Sequence, residues 1–203
     1  MRTTPLTRPV VALDDVDVVQ LEAGSAFTIA LDAAGLVHVW GRNDQGQLGL
    51  GGGLAMDVYA LEDMPRPIDL PDGSLLEATK IAAGHSHAAI ITPDGRLLQW
   101  GAKNALEPAE HVFQTDDDDD NDTRVAPASV YCGGAYTIAI ATDGRLFSFG
   151  QGSSKCLGHG DKKRRPHPTH IDALQGFALD TISCGYRHVA MLGSWDESGQ
   201  VAK

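Results

Sequence analysis

Apolar residues along the chain come in short runs separated by turn residues, and the runs recur in one frame. Ala23-Gly24 leads to Phe27-Thr28-Ile29-Ala30, then to Asp32, Gly35 and Val39-Trp40-Gly41; Ala83-Gly84 leads in the same way to Trp100-Gly101, and Cys132-Gly133 to Phe149-Gly150. A fourth copy begins at Cys184-Gly185. The first and last glycines of each complete copy are 17 positions apart, and successive copies start 60, 49 and 52 positions apart. A frame held in this way marks one supersecondary unit stacked repeatedly. The runs are strand-length and too short for helices. Asp94-Gly95 and Asp143-Gly144, each between two runs, are hairpin signals because glycine enters positive φ without steric cost; Asp32 to Gly35 is a looser form. The runs are apolar almost throughout instead of alternating, so both faces of the predicted sheets are covered.

Prolines mark a further element. Pro9-Val10-Val11-Ala12-Leu13, Pro67-Ile68-Asp69-Leu70, Pro108 to Val112 and Pro168 to Leu174 each predict an outer strand opening on proline, since an edge position has no ladder bond to lose. A strand entering the glycine, a hairpin pair and an outer strand make a small antiparallel sheet. Such sheets stacked face to face around an axis make a β-propeller. The fold class predicted is all-β, an incomplete propeller ring of three full blades and part of a fourth, in one domain spanning 1–203. The expected units are 9–70, 78–112, 128–174 and 178–201, with an acidic mobile insertion at 114–124.

The Ala-Gly or Cys-Gly pair, an aromatic or His three positions after the glycine, Asp-Gly, Trp-Gly or Phe-Gly, and the segment Asn43-Asp44-Gln45-Gly46-Gln47-Leu48-Gly49-Leu50-Gly51 resemble the repeat of the regulator of chromosome condensation family. The resemblance covers roughly residues 9–192. Lys155-Cys156-Leu157-Gly158-His159-Gly160 echoes the last segment in the third copy, whereas the second copy lacks it and passes from Gly101 almost directly to Pro108. The resemblance makes Gly24, Trp40, Gly41, Gly84, Trp100, Gly101, Gly133, Gly150 and Gly185 positions of construction. It also implies a ring usually of seven blades, so that three and a half units leave two apolar sheet faces, each on the order of 300 Å², in need of cover. Further sequence, a second copy completing the ring, or another protein would supply it; a closed four-bladed ring is the remaining arrangement. The function implied is a non-enzymatic protein-interaction scaffold. Its alternatives are nucleotide exchange on a small GTPase, as by the founding member, and a structural subunit of a larger assembly.

Composition adds limits. With 42% hydrophobic residues in 203, the chain can bury a core. Residues Met1 to Arg8 contain no apolar secretory stretch and no later run approaches membrane-spanning length, so the expected location is intracellular, cytoplasmic or nuclear. The net charge is -11, of which Asp116, Asp117, Asp118, Asp119, Asp120 and Asp122 supply six, and a nucleic-acid-binding surface is not indicated. The aspartate run reads as a solvated insertion or a contact for basic protein surface, and Lys162-Lys163-Arg164-Arg165 as a complementary interaction loop.

Candidate chemistry is thin. Cys132 and Cys184 stand where other copies have Ala23 and Ala83, which a small buried side chain explains. His87 and His188 share their frame position with Phe27 and Tyr136, and a ligand or base cannot be replaced by Phe, so both read as structural aromatic positions. Cys156, His159, His167 and His170 have a superficial zinc spacing, but the repeat accounts for Cys156 and His159 as counterparts of Gln47 and Leu50. No metal, cofactor or catalytic constellation is predicted, and the chain is not expected to be an enzyme.

Overall fold

The computed structural model describes residues 10–51, 61–113 and 125–195, so the predicted acidic insertion, with Asp116 to Asp120, lies outside the described residues. Three four-stranded antiparallel sheets follow one another along the chain. The first is β1 (Val18–Ala23), β2 (Phe27–Asp32), β3 (Val37–Arg42) and β4 (Leu61–Pro67). The second is β5 (Lys80–Ala83), β6 (His87–Ile91), β7 (Leu97–Gly101) and β8 (Ala105–Glu110). The third is β9 (Pro127–Cys132), β10 (Tyr136–Ala141), β11 (Leu146–Gly150) and β12 (Arg165–His170), and a two-stranded unit follows with β13 (Phe177–Cys184) and β14 (Val189–Trp195). Strand order within each sheet is the sequence order, the meander of a propeller blade.

Hairpin chemistry sets each central pair. Gly35, Gly95 and Gly144 have φ of +89°, +80° and +86°. The preceding side chain closes each turn: Leu36 N donates to Asp32 Oδ1, Arg96 N to Thr92 Oγ1 and Arg145 N to Asp143 Oδ1.

Apolar residues on both faces of these pairs form the contacts between blades. One face of β2 and β3, with Phe27, Ile29, Leu31, Val37 and Val39, packs on Ile81, Ala88, Ile90 and Trp100 of the second blade. The opposite face of the second blade, with Ala89, Ile91 and Leu97, packs on Ala139, Phe147 and Phe149 of the third. Tyr136 and Ile138 then meet Ile182, Val189 and Met191 of the two-stranded unit. Near the axis the blades are tied by backbone: Ser25 N donates to His85 O at 3.0 Å and His85 N to Gly133 O at 3.1 Å.

Two glycines of the frame are fixed by space. A Cβ on Gly24, Gly84, Gly133 or Gly185 would overlap the ring three positions later, of Phe27, His87, Tyr136 and His188 respectively. The second, in Trp-Gly or Phe-Gly, has φ of +105° at Gly41, +95° at Gly101 and +106° at Gly150. A Cβ on Gly41 would lie 2.6 Å from Ala26 O, with Ser86 and Ala135 carbonyls in the same place for the other two. At this glycine the pairing with the outer strand shifts register in all three blades.

The outer strands differ from the sequence expectation. They lie at 61–67, 105–110 and 165–170, so Pro67 ends its strand, Pro108 falls inside one, and Pro166 and Pro168 both sit within the third. An edge strand tolerates proline anywhere its N–H would face outward, so proline does not mark the strand's start. The residues just beyond return one bond to the sheet: Ile68, His111 and Ile171 N–H donate to Val37, Leu97 and Leu146 carbonyls. Of the expected strand from Pro9 to Leu13, Pro9 lies outside the described residues and the rest is not an outer strand: Val11–Leu13 is a 3-10 turn entered at Val10 with φ -86° and ψ 85°. Asp172–Leu174 after β12 is the same turn, entered at Ile171 with φ -94° and ψ 84°.

Among the described residues the arc ends on two uncovered faces. Trp100 and Phe149 are each 1% exposed because a preceding blade covers them. Their counterpart Trp40 is half-buried, and Leu192 on β14, the counterpart of buried Ile91, is 65% exposed.

Candidate functional site

Where the first blade meets the second, a loop fills the space above the core. Asn43 to Gly51 folds on itself, with Leu48 N donating to Asn43 Oδ1 at 3.0 Å and Gln45 N to Gln47 Oε1 at 2.8 Å. It is then pinned to the second blade: Trp100 Nε1 donates to Gln47 O at 3.0 Å, Lys103 N to Gln45 O at 3.0 Å and Gly51 N to Leu106 O at 3.1 Å. Leu48 is fully buried beneath it, and Gly49 lies so close to the Trp100 indole that a Cβ would come within 2.8 Å of Nε1. The third blade repeats the loop in Gln151 to Gly160. Lys155, Gly158 and Gly160 have φ of +61°, +81° and +75°, against +74°, +68° and +79° at Gly46, Gly49 and Gly51. Leu157 is buried there and its carbonyl accepts the Ser148 hydroxyl at 2.7 Å.

The second blade has no such loop. Ala102 and Lys103 turn the chain back at once, at positive φ of 52° and 59°. What remains is a cavity of about 450 Å³ between the second and third blades. On the third blade it is lined by Phe149, Gly150, Arg164, Arg165 and Pro166, the counterparts of the surface that the Asn43–Gly51 loop covers on the second. The second blade contributes His87, Gln99, Asn104 and His111, and His85 and Tyr186 stand at the axis end, edge to face at 5.0 Å. Among the described residues none that line it is Asp or Glu, in a chain of net charge -11.

Of the three histidines that line this slot, His87 and His111 bear on its chemistry. His111 takes the frame position of Ile68 and Ile171, both fully buried, and its ring tilts over Phe149 with centroids 4.8 Å apart. Its Nδ1 is buried without a partner among the described residues. Burial, and then the charge of His167, holds its pKa below the ordinary value. His87 is fully enclosed, and burial pushes it down to about 4, against a backbone hydrogen bond at Tyr136. Its Nε2 lies 3.1 Å from Thr137 Oγ1, and the Thr137 hydroxyl donates to Gln99 Oε1 at 2.7 Å. The proton between His87 and Thr137 therefore belongs to His87 Nε2, and Nδ1 is left without a partner. A histidine beside a hydroxyl resembles a base beside a nucleophile, but here the base nitrogen already carries the proton. Burial also pushes the nearby Cys132 thiol up to about 12, so it is no thiolate. The slot is equipped to form hydrogen bonds and to accept negative charge at its rim.

The basic loop delivers two of its four residues to this site. Arg164 and Arg165 line the slot, whereas Lys162 and Lys163 are exposed beside it. Arg165 grips Asp161 with both guanidinium nitrogens, at 2.9 and 3.2 Å, which draws that carboxyl down to about 2. The zinc-like set is not assembled: His159 Nε2 is bonded to Ser148 Oγ at 2.9 Å, His170 Nδ1 to Asp172 Oδ1 at 2.8 Å, and the Cys156 thiol to Gln151 O. At the aromatic frame position, the Tyr136 hydroxyl reaches across to the Gly185 and His188 carbonyls of the next unit, while His188 itself is exposed. Gln99, Thr137 and His111 were not singled out by sequence. The missing segment after Gly101 was the available sign, and His in the place of Ile68 and Ile171 was the second. No helix of the described residues is long and apolar enough to cross a membrane.

The frame that builds this architecture is shared with known proteins. The chain is 32% identical over 219 residues to the ultraviolet-B receptor UVR8 of Arabidopsis thaliana, across 98% of this chain and 45% of the receptor. It is 30% identical to the mitochondrial RCC1 domain-containing protein RUG3 of the same plant, across 88% of this chain and 40% of that protein. Prp20p of Saccharomyces cerevisiae superposes with a TM-score of 0.70 at 23% identity, covering 88% of this chain and 44% of that one. Human WBSCR16 superposes with a TM-score of 0.69 at 20% identity, covering 91% and 46%. The chain thus spans less than half the length of these relatives. Sequence profiles described as the regulator of chromosome condensation (RCC1) repeat match residues 34–91 and 143–192, and 18–47. With its Gly-to-Gly frame, its four-stranded blades and these matches in agreement, the chain belongs to the RCC1 repeat family.

Proposed function

We propose that this chain is a non-enzymatic protein-interaction module whose recognition site is the slot between the second and third blades. One observation carries the reading: the loop that fills the neighbouring interface is missing here, and the space it vacates is lined by amides, histidines and arginines with no carboxylate among the described residues. A rigid scaffold that varies in one connection is the usual arrangement when binding resides in loops. The proton on His87 Nε2 favours binding over catalysis, because Thr137 has no base to activate it. Arg164 and Arg165 at the rim favour an acidic partner.

Affinity capture from extract with the wild type and with Arg164→Glu tests the reading, once the two melt at the same temperature. A protein retained by the wild type and lost by the variant is the expected result. Identical retained sets would remove the slot from the reading, and no retained protein at all would remove the interaction role. A second reading, nucleotide exchange on a small GTPase, draws on the likeness to Prp20p, whose structure was described with its binding to Gsp1p and histones. An unchanged rate of fluorescent-nucleotide release from such a GTPase would eliminate it.

A further inference from the structure

The chain contains its own example of what fills an inter-blade slot. On the second blade, the covered surface is Trp100, Gly101, Lys103 and Ala105 to Glu107; its occupant is a loop of successive turns that buries one leucine, uses glycine where the backbone passes an aromatic ring, and offers main-chain carbonyls. On the third blade the same surface is present as Phe149, Gly150 and Arg164 to Pro166, and no loop of the second blade covers it; from that blade the His111 ring reaches Phe149. His111 leans over Phe149 in partial compensation and leaves its Nδ1 buried and unbonded, a group that an occupant's main chain would satisfy. The remaining difference between the two surfaces is charge. Arg164 and Arg165 replace Asn104 and Ala105, and no carboxylate lines the cavity among the described residues.

We infer that this slot is a peptide-binding site: it receives from a partner protein a tightly turned segment carrying a leucine followed by glycine, with an acidic residue on its N-terminal side. The leucine would displace the His111 ring from Phe149, which is otherwise buried, and pack there as Leu48 packs by Trp100, and the acidic side chain would meet Arg164. The segment Asn43-Asp44-Gln45-Gly46-Gln47-Leu48-Gly49-Leu50 has this composition, with Asp44 four positions before the leucine. Its own Asp44 is already held by Arg42 at 2.6 Å, a pairing of the kind inferred for the partner. The inference deepens the protein-interaction reading and rests on it, by naming what the recognised segment must look like.

The test uses a synthetic peptide with the sequence of residues 43–50 as the probe, titrated into the whole chain and followed by tryptophan fluorescence, since Trp100 lines the slot. Saturable binding with a dissociation constant on the order of 0.1–1 mM is expected for a peptide of this size. The same peptide carrying Leu48→Asp should bind at least tenfold more weakly. Two variants of the protein place the binding. Inserting a copy of residues 44–49 between Ala102 and Lys103 supplies the plug in the chain itself and should abolish peptide binding while raising the melting temperature. Arg164→Glu, a surface change that does not depend on the graft folding, should weaken the peptide about fivefold, and a peptide carrying Asp44→Lys should recover that loss. No saturable response up to 5 mM, or binding indifferent to Leu48→Asp and to Arg164→Glu, would overturn the inference. Partner capture run alongside keeps the two levels apart: a partner retained equally by the wild type and the grafted chain leaves the interaction role standing and removes the peptide slot.

Discussion

The interface between the first and second blades and the interface between the second and third are built from the same frame positions, yet one is closed and the other is open. In the first, Phe27, Ile29 and Val39 face Ala88, Ile90 and Trp100; in the second, His87, Ala89 and Gln99 face Thr137, Ala139 and Phe149. The repeat determines the depth of both contacts. It leaves the outer part to whichever loop follows the second glycine, and there a difference of a few residues decides between a packed seam and a cavity of about 450 Å³. The substitutions around the cavity are consistent with its being open. Gln99 brings an amide where Val39 stands in the first blade, Thr137 a hydroxyl where Ala88 stands in the second, and His111 replaces isoleucine. A polar lining suits a space that water or a ligand enters, and a fully apolar one would be stranded there.

If the loop is what closes the first interface, removing the side chain at its centre should have the largest effect in the molecule's seams. Leu48→Ala should destabilise by about 2–5 kcal/mol, the range for deleting a fully buried leucine. Denaturant titration of the variant measures it. A loss below about 1 kcal/mol would mean that the loop merely lies on the blade, and the contrast between the two interfaces would collapse.

Acid should act on the second interface through a group that the first lacks, because Phe27 occupies in the first blade the place of His87 in the second. The His87 ring is held down to about 4 by burial, against an ordinary value of 6.5. Its contribution is therefore complete above pH 6.5 and declines as pH falls toward 4, because the unfolded chain takes the proton first. The loss is on the order of 3 kcal/mol by pH 4. His87→Phe should flatten that part of the stability profile without lowering stability at pH 7 by a comparable amount. Equal acid sensitivity in variant and wild type would place the responsible group elsewhere.

The sequence made the seam legible but not its contents. The 17-residue interval between glycines was enough to predict three equivalent units, because each glycine is dictated by a neighbour at fixed spacing: the ring three positions on for Gly24, and the Ala26 carbonyl for Gly41. The outer strands were misplaced because proline at an edge constrains nothing about where the strand begins; the bonds from Ile68, His111 and Ile171 that locate their ends are backbone bonds, invisible in side-chain pattern. His87 and Tyr136 were rightly grouped as aromatic positions, but the network His87, Thr137, Gln99 joins residues 50 and 38 positions apart through contact between blades, which no local period encodes. The missing Gly-x-Leu-Gly segment was visible from the start. Its meaning required seeing, in the neighbouring seam, what that segment does.

Trp100→Phe sharpens the comparison by giving the second blade the aromatic residue of the third. It deletes the indole bond to Gln47 O and leaves that carbonyl unpaired under the loop, for about 2 kcal/mol. Urea denaturation should show the loss, and hydrogen exchange at Lys103 N–H, which is bonded to the same loop, should quicken. Unchanged exchange would mean that the loop holds its place without the tryptophan.

The smallest effect has the opposite sign. His111→Ile restores at the open seam the residue that Ile68 and Ile171 supply at the equivalent points of the other two blades, and the ring it removes carries a buried nitrogen with no partner among the described residues. An isoleucine has no such group to leave unbonded, and its branched side chain matches what the same backbone bond, from this N–H to the Leu97 carbonyl, accompanies elsewhere. The variant should therefore be more stable than the wild type by about 1 kcal/mol, raising the melting temperature by a few degrees. A gain would show that the histidine is retained against the interest of stability, as expected for a group facing an occupant of the slot. A loss would show that the free chain already satisfies Nδ1, and His111 would then be a packing residue like the isoleucines it replaces.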